Sequence, residues 1–122
     1  MQDPINILIV DDEDYVRTPL QSLLTEVGYA VDAASDGDEA IACISKKAFD
    51  LVLLDITMKR VDGLDVLKFI KKDFPALKVI MLTAFANLNN AEASKRLGAD
   101  DFMSKPYNPE ELIATIEKVL GE

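Results

Sequence analysis

The chain contains no histidine, and its one cysteine is Cys43. Without histidine there is no His-ligated zinc site, no Ser-His-Asp triad and no phosphohistidine donor. One cysteine rules out an internal disulfide framework and is the usage expected in a reducing compartment. Cys43 sits in the run Ala40-Ile41-Ala42-Cys43-Ile44, so it reads as a buried, inert thiol rather than a reactive one. Long apolar runs are missing as well. None approaches the roughly 18 residues of a membrane span, and Met1-Gln2-Asp3-Pro4 lacks the basic and apolar stretches of an export signal. A cytoplasmic chain with no membrane partner is therefore expected. Positive charge is scarce: 13 Lys and Arg stand against 22 Asp and Glu, a net −9. That sign opposes binding to a phosphate backbone, so direct contact with nucleic acid is not expected of this chain.

What is present fits one globular domain over residues 1–122, with 49% hydrophobic and 29% charged residues. Five short apolar runs recur: Ile5–Val10, Ala30–Ala34, Leu51–Leu54, Lys78–Leu82 and Asp101–Met103. The first, third and fourth are nearly continuous in Ile, Val and Leu, as parallel strands covered on both faces are. Helix-period stripes lie between them. Val16, Leu20, Leu23, Leu24 and Val27 form the first, Ala40, Ile41 and Ile44 the second, and Leu64, Leu67 and Ile70 the third. Asn89–Leu97 is the weakest. The last is the best marked: Asn108 caps it, Pro109 takes its first position, Glu111 completes the capping pattern, and Leu112, Ile113, Ile116, Val119 and Leu120 make its apolar face. Gly28, Gly98 and Gly121 stand where helices stop. Pro19 falls inside the first stripe; because Val16 already belongs to the apolar face, a kinked helix is expected rather than a later start capped by Thr18. Strand and helix alternate five times, which predicts a doubly wound α/β fold with one parallel sheet.

The residues that follow the strands are chemically unlike the rest. Asp11 and Asp12 follow the first, Asp55 the third, Thr83 the fourth and Lys105 the fifth. In an open parallel sheet these carboxyl ends share one edge, where ligands bind. Two carboxylates about 5 Å apart repel by roughly 3 kcal/mol at an effective dielectric near 20, and a single lysine does not neutralise three of them. The expected response is a hard cation on oxygen ligands, Mg²⁺ first and Mn²⁺ next. Taken alone, Asp11 to Asp14 would more simply be acids at a helix start, one of them capping it. Their coincidence with Asp55, Thr83 and Lys105 favours a site. A carboxylate beside a cation can attack a phosphoryl group. Asp55, the single acid on the central strand between Leu54 and Ile56, is the expected nucleophile, with Lys105 and the Thr83 hydroxyl on phosphoryl oxygens.

In Ile9-Val10-Asp11-Asp12-Glu13, Leu53-Leu54-Asp55-Ile56-Thr57-Met58, Asp62-Gly63, Leu82-Thr83-Ala84, Gly98-Ala99-Asp100-Asp101-Phe102 and Ser104-Lys105-Pro106, the chain resembles the response-regulator receiver family of two-component systems along nearly its whole length. The resemblance implies a five-stranded flavodoxin-like sheet in the order 2-1-3-4-5. It also implies that a sensor histidine kinase or phosphotransfer protein donates a phosphoryl group to Asp55. Asp11, Asp12, Asp55 and the Thr57 backbone carbonyl would hold Mg²⁺, while Thr83 and Phe102 would act as a switch pair. The face of the fourth helix, fifth strand and fifth helix would then change its preference for an output domain or a second copy. A cis bond before Pro106 is implied too. On this reading the chain is a signalling phosphoacceptor, not a turnover enzyme. Two positions depart from the pattern. Lys59 replaces the usual proline after Met58, which loosens that loop and brings a cation near the pocket. Phe102 lacks a tyrosine hydroxyl. Two rivals are weaker: a flavin carrier would need a phosphate loop where Asp11–Asp14 stands, and an aspartate phosphatase would need an acid at Thr57.

Overall fold

The computed structural model describes residues 3–58, 61–84 and 86–121. Its elements alternate without exception: β1 Asn6–Val10, α1 Asp14–Val27, β2 Ala30–Ala34, α2 Gly37–Lys46, β3 Leu51–Leu54, α3 Gly63–Asp73, β4 Lys78–Thr83, α4 Leu88–Arg96, β5 Asp101–Ser104 and α5 Pro109–Leu120. The strands form one parallel sheet in the order β2-β1-β3-β4-β5, as expected. Lys59, where the family pattern has proline, lies outside the described residues.

The continuous apolar strands follow from burial on both sides. Leu8, Val10, Val52, Leu54, Val79 and Met81 pack with Ala40 and Ile44 of α2 and Val66, Leu67 and Ile70 of α3. The alternate residues Ile7, Ile9, Leu51, Leu53, Ile80 and Leu82 pack with Leu20 and Leu24 of α1 and Leu112 and Ile116 of α5. Each such aliphatic side chain, removed from water, contributes about 2 kcal/mol before chain entropy is counted. All strands point the same way, so their carboxyl ends form a single rim.

Local signals explain the helix boundaries. Asp36 caps α2 by accepting from the Glu39 N–H at 2.8 Å, Asp62 caps α3 through the Leu64 N–H at 2.8 Å, and Asn108 caps α5 through the Glu110 and Glu111 N–H groups. Gly28 and Gly121 close α1 and α5 in the left-handed region. Two alternatives weighed in the sequence are excluded, and two details differ from the sequence reading. α1 starts after Glu13 with no side-chain cap, so none of the acids in Asp11–Asp14 caps it. α1 runs through Pro19 from Asp14, which excludes a start at Thr18; Pro19 is exposed, so the Tyr15 carbonyl it leaves without a helical donor is at the water-facing side. Val27 is 45% exposed instead of buried, because Tyr29, just past the Gly28 turn, fills that part of the core. Cys43 is half-buried rather than buried. It packs against the α2–α3 core, and burial pushes its thiol above the usual range, so the expected inertness is supported.

Candidate functional site

β1 ends in Val10 and delivers Asp11 and Asp12 to the rim; β3 ends in Leu54 and delivers Asp55. The two strands are neighbours, with Val10 opposite Leu54. Backbone bonds continue the sheet past its last paired residues: the Asp11 N–H donates to the Ala34 carbonyl and the Asp55 N–H to the Val10 carbonyl, at 3.2 and 3.0 Å. As a result one carboxylate oxygen from each of Asp11, Asp12 and Asp55 lies within 4.8 Å of the others. Asp11 and Asp55 are buried and Asp12 half-buried.

Lys105 reaches into this cluster from beyond β5. Its ammonium donates to Asp11 Oδ2 and to Asp55 Oδ2, the latter at 3.1 Å, and its backbone N–H donates to the Thr83 carbonyl at 2.9 Å. Thr83 is buried at the end of β4. The bond between Lys105 and Pro106 is cis. Burial pushes the Asp11 carboxyl above the usual range, against the hydrogen bond and charge of Lys105, and the Asp55 charge adds to the rise. Burial would depress Lys105, but its hydrogen bond to Asp11 and the charges of Asp55 and Asp11 outweigh that and hold it above the ordinary lysine value.

Asp11, Asp12, Asp55 and Lys105 are therefore brought together, and Thr83 adjoins them through its backbone carbonyl on the Lys105 N–H. Thr57 lies two residues past Asp55, exposed, with its N–H directed at Asp55 Oδ1 at 3.4 Å. Phe102 stands apart on β5, half-buried against the α2–α3 core. Sequence reasoning missed two supports. Arg17 of α1 donates to the Asp11 carbonyl and pairs with Asp14, tying the first turn of α1 to the rim. Gly63 at the start of α3 lies so close to β3 that a Cβ there would come within 2.0 Å of the Asp55 carbonyl oxygen. The Asp62-Gly63 pair was visible in the sequence, but not its contact across the loop.

The donor set fits a hard divalent cation. Every candidate ligand is oxygen, and three carboxylates facing one ammonium leave uncompensated negative charge in a partly dry corner. A cavity of about 710 Å³, lined in part by Ile44, Phe49, Phe74, Leu77 and Leu120, lies at the opposite edge of the sheet and touches none of these residues.

The family model described as the response regulator receiver domain matches residues 7–117. This chain belongs to that family. Among curated receiver-containing relatives, a probable transcriptional regulator ycf27 of Cyanidium caldarium is 40% identical over 115 residues, covering 94% of this chain and 46% of the relative. The transcriptional regulatory protein ZraR of Escherichia coli is 41% identical over 119 residues, 98% of this chain and 27% of that protein. The chain thus spans less than half of these two relatives. Solved receiver structures agree with the fold. A CheY-like receiver domain protein from Methanospirillum hungatei superposes with a TM-score of 0.95 at 34% identity, covering 98% of this chain and 95% of that one. The chemotaxis protein CheY4 of Vibrio cholerae gives 0.91 at 30% identity over 96% and 99%. The chain is accordingly a receiver domain of the kind found in two-component response regulators.

Proposed function

We propose that this receiver works as a single unit over residues 1–122, accepting a phosphoryl group on Asp55 from the phosphohistidine of a sensor kinase or phosphotransfer protein. The observation that carries the reading is the meeting of the Asp11, Asp12 and Asp55 carboxylates within 4.8 Å, with Lys105 on two of them. An Asp55 carboxylate oxygen attacks phosphorus; the N–P bond breaks, and its electron pair returns to the imidazole nitrogen, which is protonated from solvent. Lys105 shifts from the bare carboxylates toward an incoming phosphoryl oxygen, and the Thr83 hydroxyl donates to another. Asp11, Asp12, Asp55 and the Thr57 carbonyl would hold Mg²⁺, or Mn²⁺ in its place, which supplies charge neutralisation between carboxylate and phosphoryl oxygens.

The chain on this reading catalyses only its own phosphorylation and slow self-dephosphorylation in the cytoplasm. Thr83 and Phe102 form the switch: the hydroxyl turns toward the phosphoryl group and the ring of Phe102 turns inward, altering the α4-β5-α5 face. That face would contact an output domain or a second copy of the chain. The relatives described above are transcriptional regulators, which supports coupling to gene control through a separate output module.

Intact-mass measurement after incubation with acetyl phosphate and Mg²⁺ tests the proposal. Wild type gains one phosphoryl group, the gain needs the cation, and Asp55→Asn gains none. An adduct that survives Asp55→Asn, or a wild type that never forms one, overturns it.

A further inference from the structure

The connection from Asp55 to α3 carries the Thr57 carbonyl, and its seating depends on a bare backbone in a different element. Gly37 is the first residue of α2, where glycine is a poor helix former. A Cβ at Gly37 would stand 2.7 Å from Val61 Cβ and 3.0 Å from both Val61 Cγ1 and Val66 Cγ2. Real side chains do not approach to 2.7 Å, so either α2 or Val61 would have to move. α2 is anchored by its buried face: Ala40 and Ile44 pack into the core with Val66, Leu67 and Ile70 of α3, and its first turn is fixed by the Asp36 cap on the Glu39 N–H at 2.8 Å.

Val61 is half-buried against the α2–α3 core and leads directly into a fixed segment. Just beyond it, the Gly63 N–H donates to the Ile56 carbonyl at 2.7 Å, and Gly63 itself is pressed against the Asp55 backbone. On the other side of the loop, Ile56 and Met58 are buried in the α2–α3 core. A push on Val61 is therefore relayed into the short backbone stretch that contains Thr57. From this we infer that Gly37 is a positioning residue for the Asp55 loop, acting through Val61. This inference rests on the reading of Asp55 and Thr57 as phosphoacceptor and cation ligand.

A double-mutant cycle tests it in the whole chain: wild type, Gly37→Ala, Val61→Gly and the pair. Mg²⁺ is titrated with no phosphodonor while the amide resonances of Asp55, Ile56, Thr57 and Met58 are followed. Gly37→Ala should shift those resonances and weaken Mg²⁺ by about 10-fold, the lower end of what outer contacts cost a metal site. It should also lower the melting temperature on the wild-type background, because the clash with Val61 outweighs the helix propensity that alanine adds. On the Val61→Gly background the same substitution should change the resonances and the affinity far less, because only the 3.0 Å approach to Val66 Cγ2 remains. Unshifted resonances in Gly37→Ala, or an equal loss with and without the Val61 side chain, overturn the inference. Should Gly37→Ala not fold, recovery of the fold by Val61→Gly supports it and failure to recover overturns it. If wild type takes up no phosphoryl group or Mg²⁺, the phosphoacceptor reading falls on its own, and the resonances still decide whether the loop depends on Gly37.

Discussion

Lys105 is held by the two carboxylates it would later have to leave. Its ammonium bridges Asp11 and Asp55 with 12% of the side chain exposed, so the pair is shielded from water. Replacing it with methionine leaves buried carboxylates facing each other, and in EDTA Lys105→Met should cost about 3 kcal/mol in urea unfolding near neutral pH. The same variant should bind Mg²⁺ more tightly, since no ammonium competes for Asp11 and Asp55, yet accept phosphoryl from acetyl phosphate more slowly. The pH dependence has a definite sign. Lys105 binds its proton more firmly folded than unfolded, so its contribution is full below the ordinary value of 10.5 and is lost as pH rises through the raised one. The stability gap between metal-free wild type and Lys105→Met should therefore shrink above pH 10.5. Other alkaline titrations are common to both proteins and cancel in the difference. A gap that stays constant would show that Lys105 stabilises by packing of its stem rather than by charge.

At the scale of elements, α4 is the least firmly seated of the helices. Only Ser94 of Leu88–Arg96 is buried, and Leu88 is 71% exposed. The Ser94 hydroxyl is buried without a hydrogen-bond partner among the described residues, a desolvation cost with no return. Ser94→Ala removes the hydroxyl and adds helix propensity, so the urea midpoint should rise, with a gain of about 1 kcal/mol. A fall instead would mean that the hydroxyl is satisfied by water. The weakness of α4 was legible in the sequence, because Ala91, Ala93 and Leu97 make a thin stripe among polar neighbours. The strands and the capped α5 were legible for the converse reason: their apolar period is dense and their ends carry Asn108, Pro109 and Gly121. Val27 was misread because periodicity does not say where a helix stops contributing to a core, and here Tyr29 takes over. Asp11, Asp12, Asp55, Thr83 and Lys105 were legible as a set because parallel strands put their ends on one rim. Arg17, Gly37 and Gly63 were not, since their roles depend on close approaches between elements that no local pattern encodes.

The whole molecule carries a net charge of −9, and three of its carboxylates meet at one corner of the sheet. Added cations can therefore stabilise it in two ways, by screening the overall charge or by occupying that corner, and the two are separable. Screening depends on ionic strength and not on which cation supplies it. Site binding follows mass action: at free Mg²⁺ about tenfold above Kd it contributes about 1.4 kcal/mol, or roughly 5 °C in Tm for a domain of this size. At constant ionic strength, replacing Na⁺ with Mg²⁺ should raise the wild-type Tm by about that amount. Asp12→Asn separates the terms further, because it removes one charge from a mutually repelling cluster. The metal-free variant should melt higher than metal-free wild type, and the Mg²⁺-dependent rise should largely disappear. If the rise persists undiminished in Asp12→Asn, the cation is acting on the acidic surface as a whole, and the rim carboxylates have no special claim on it.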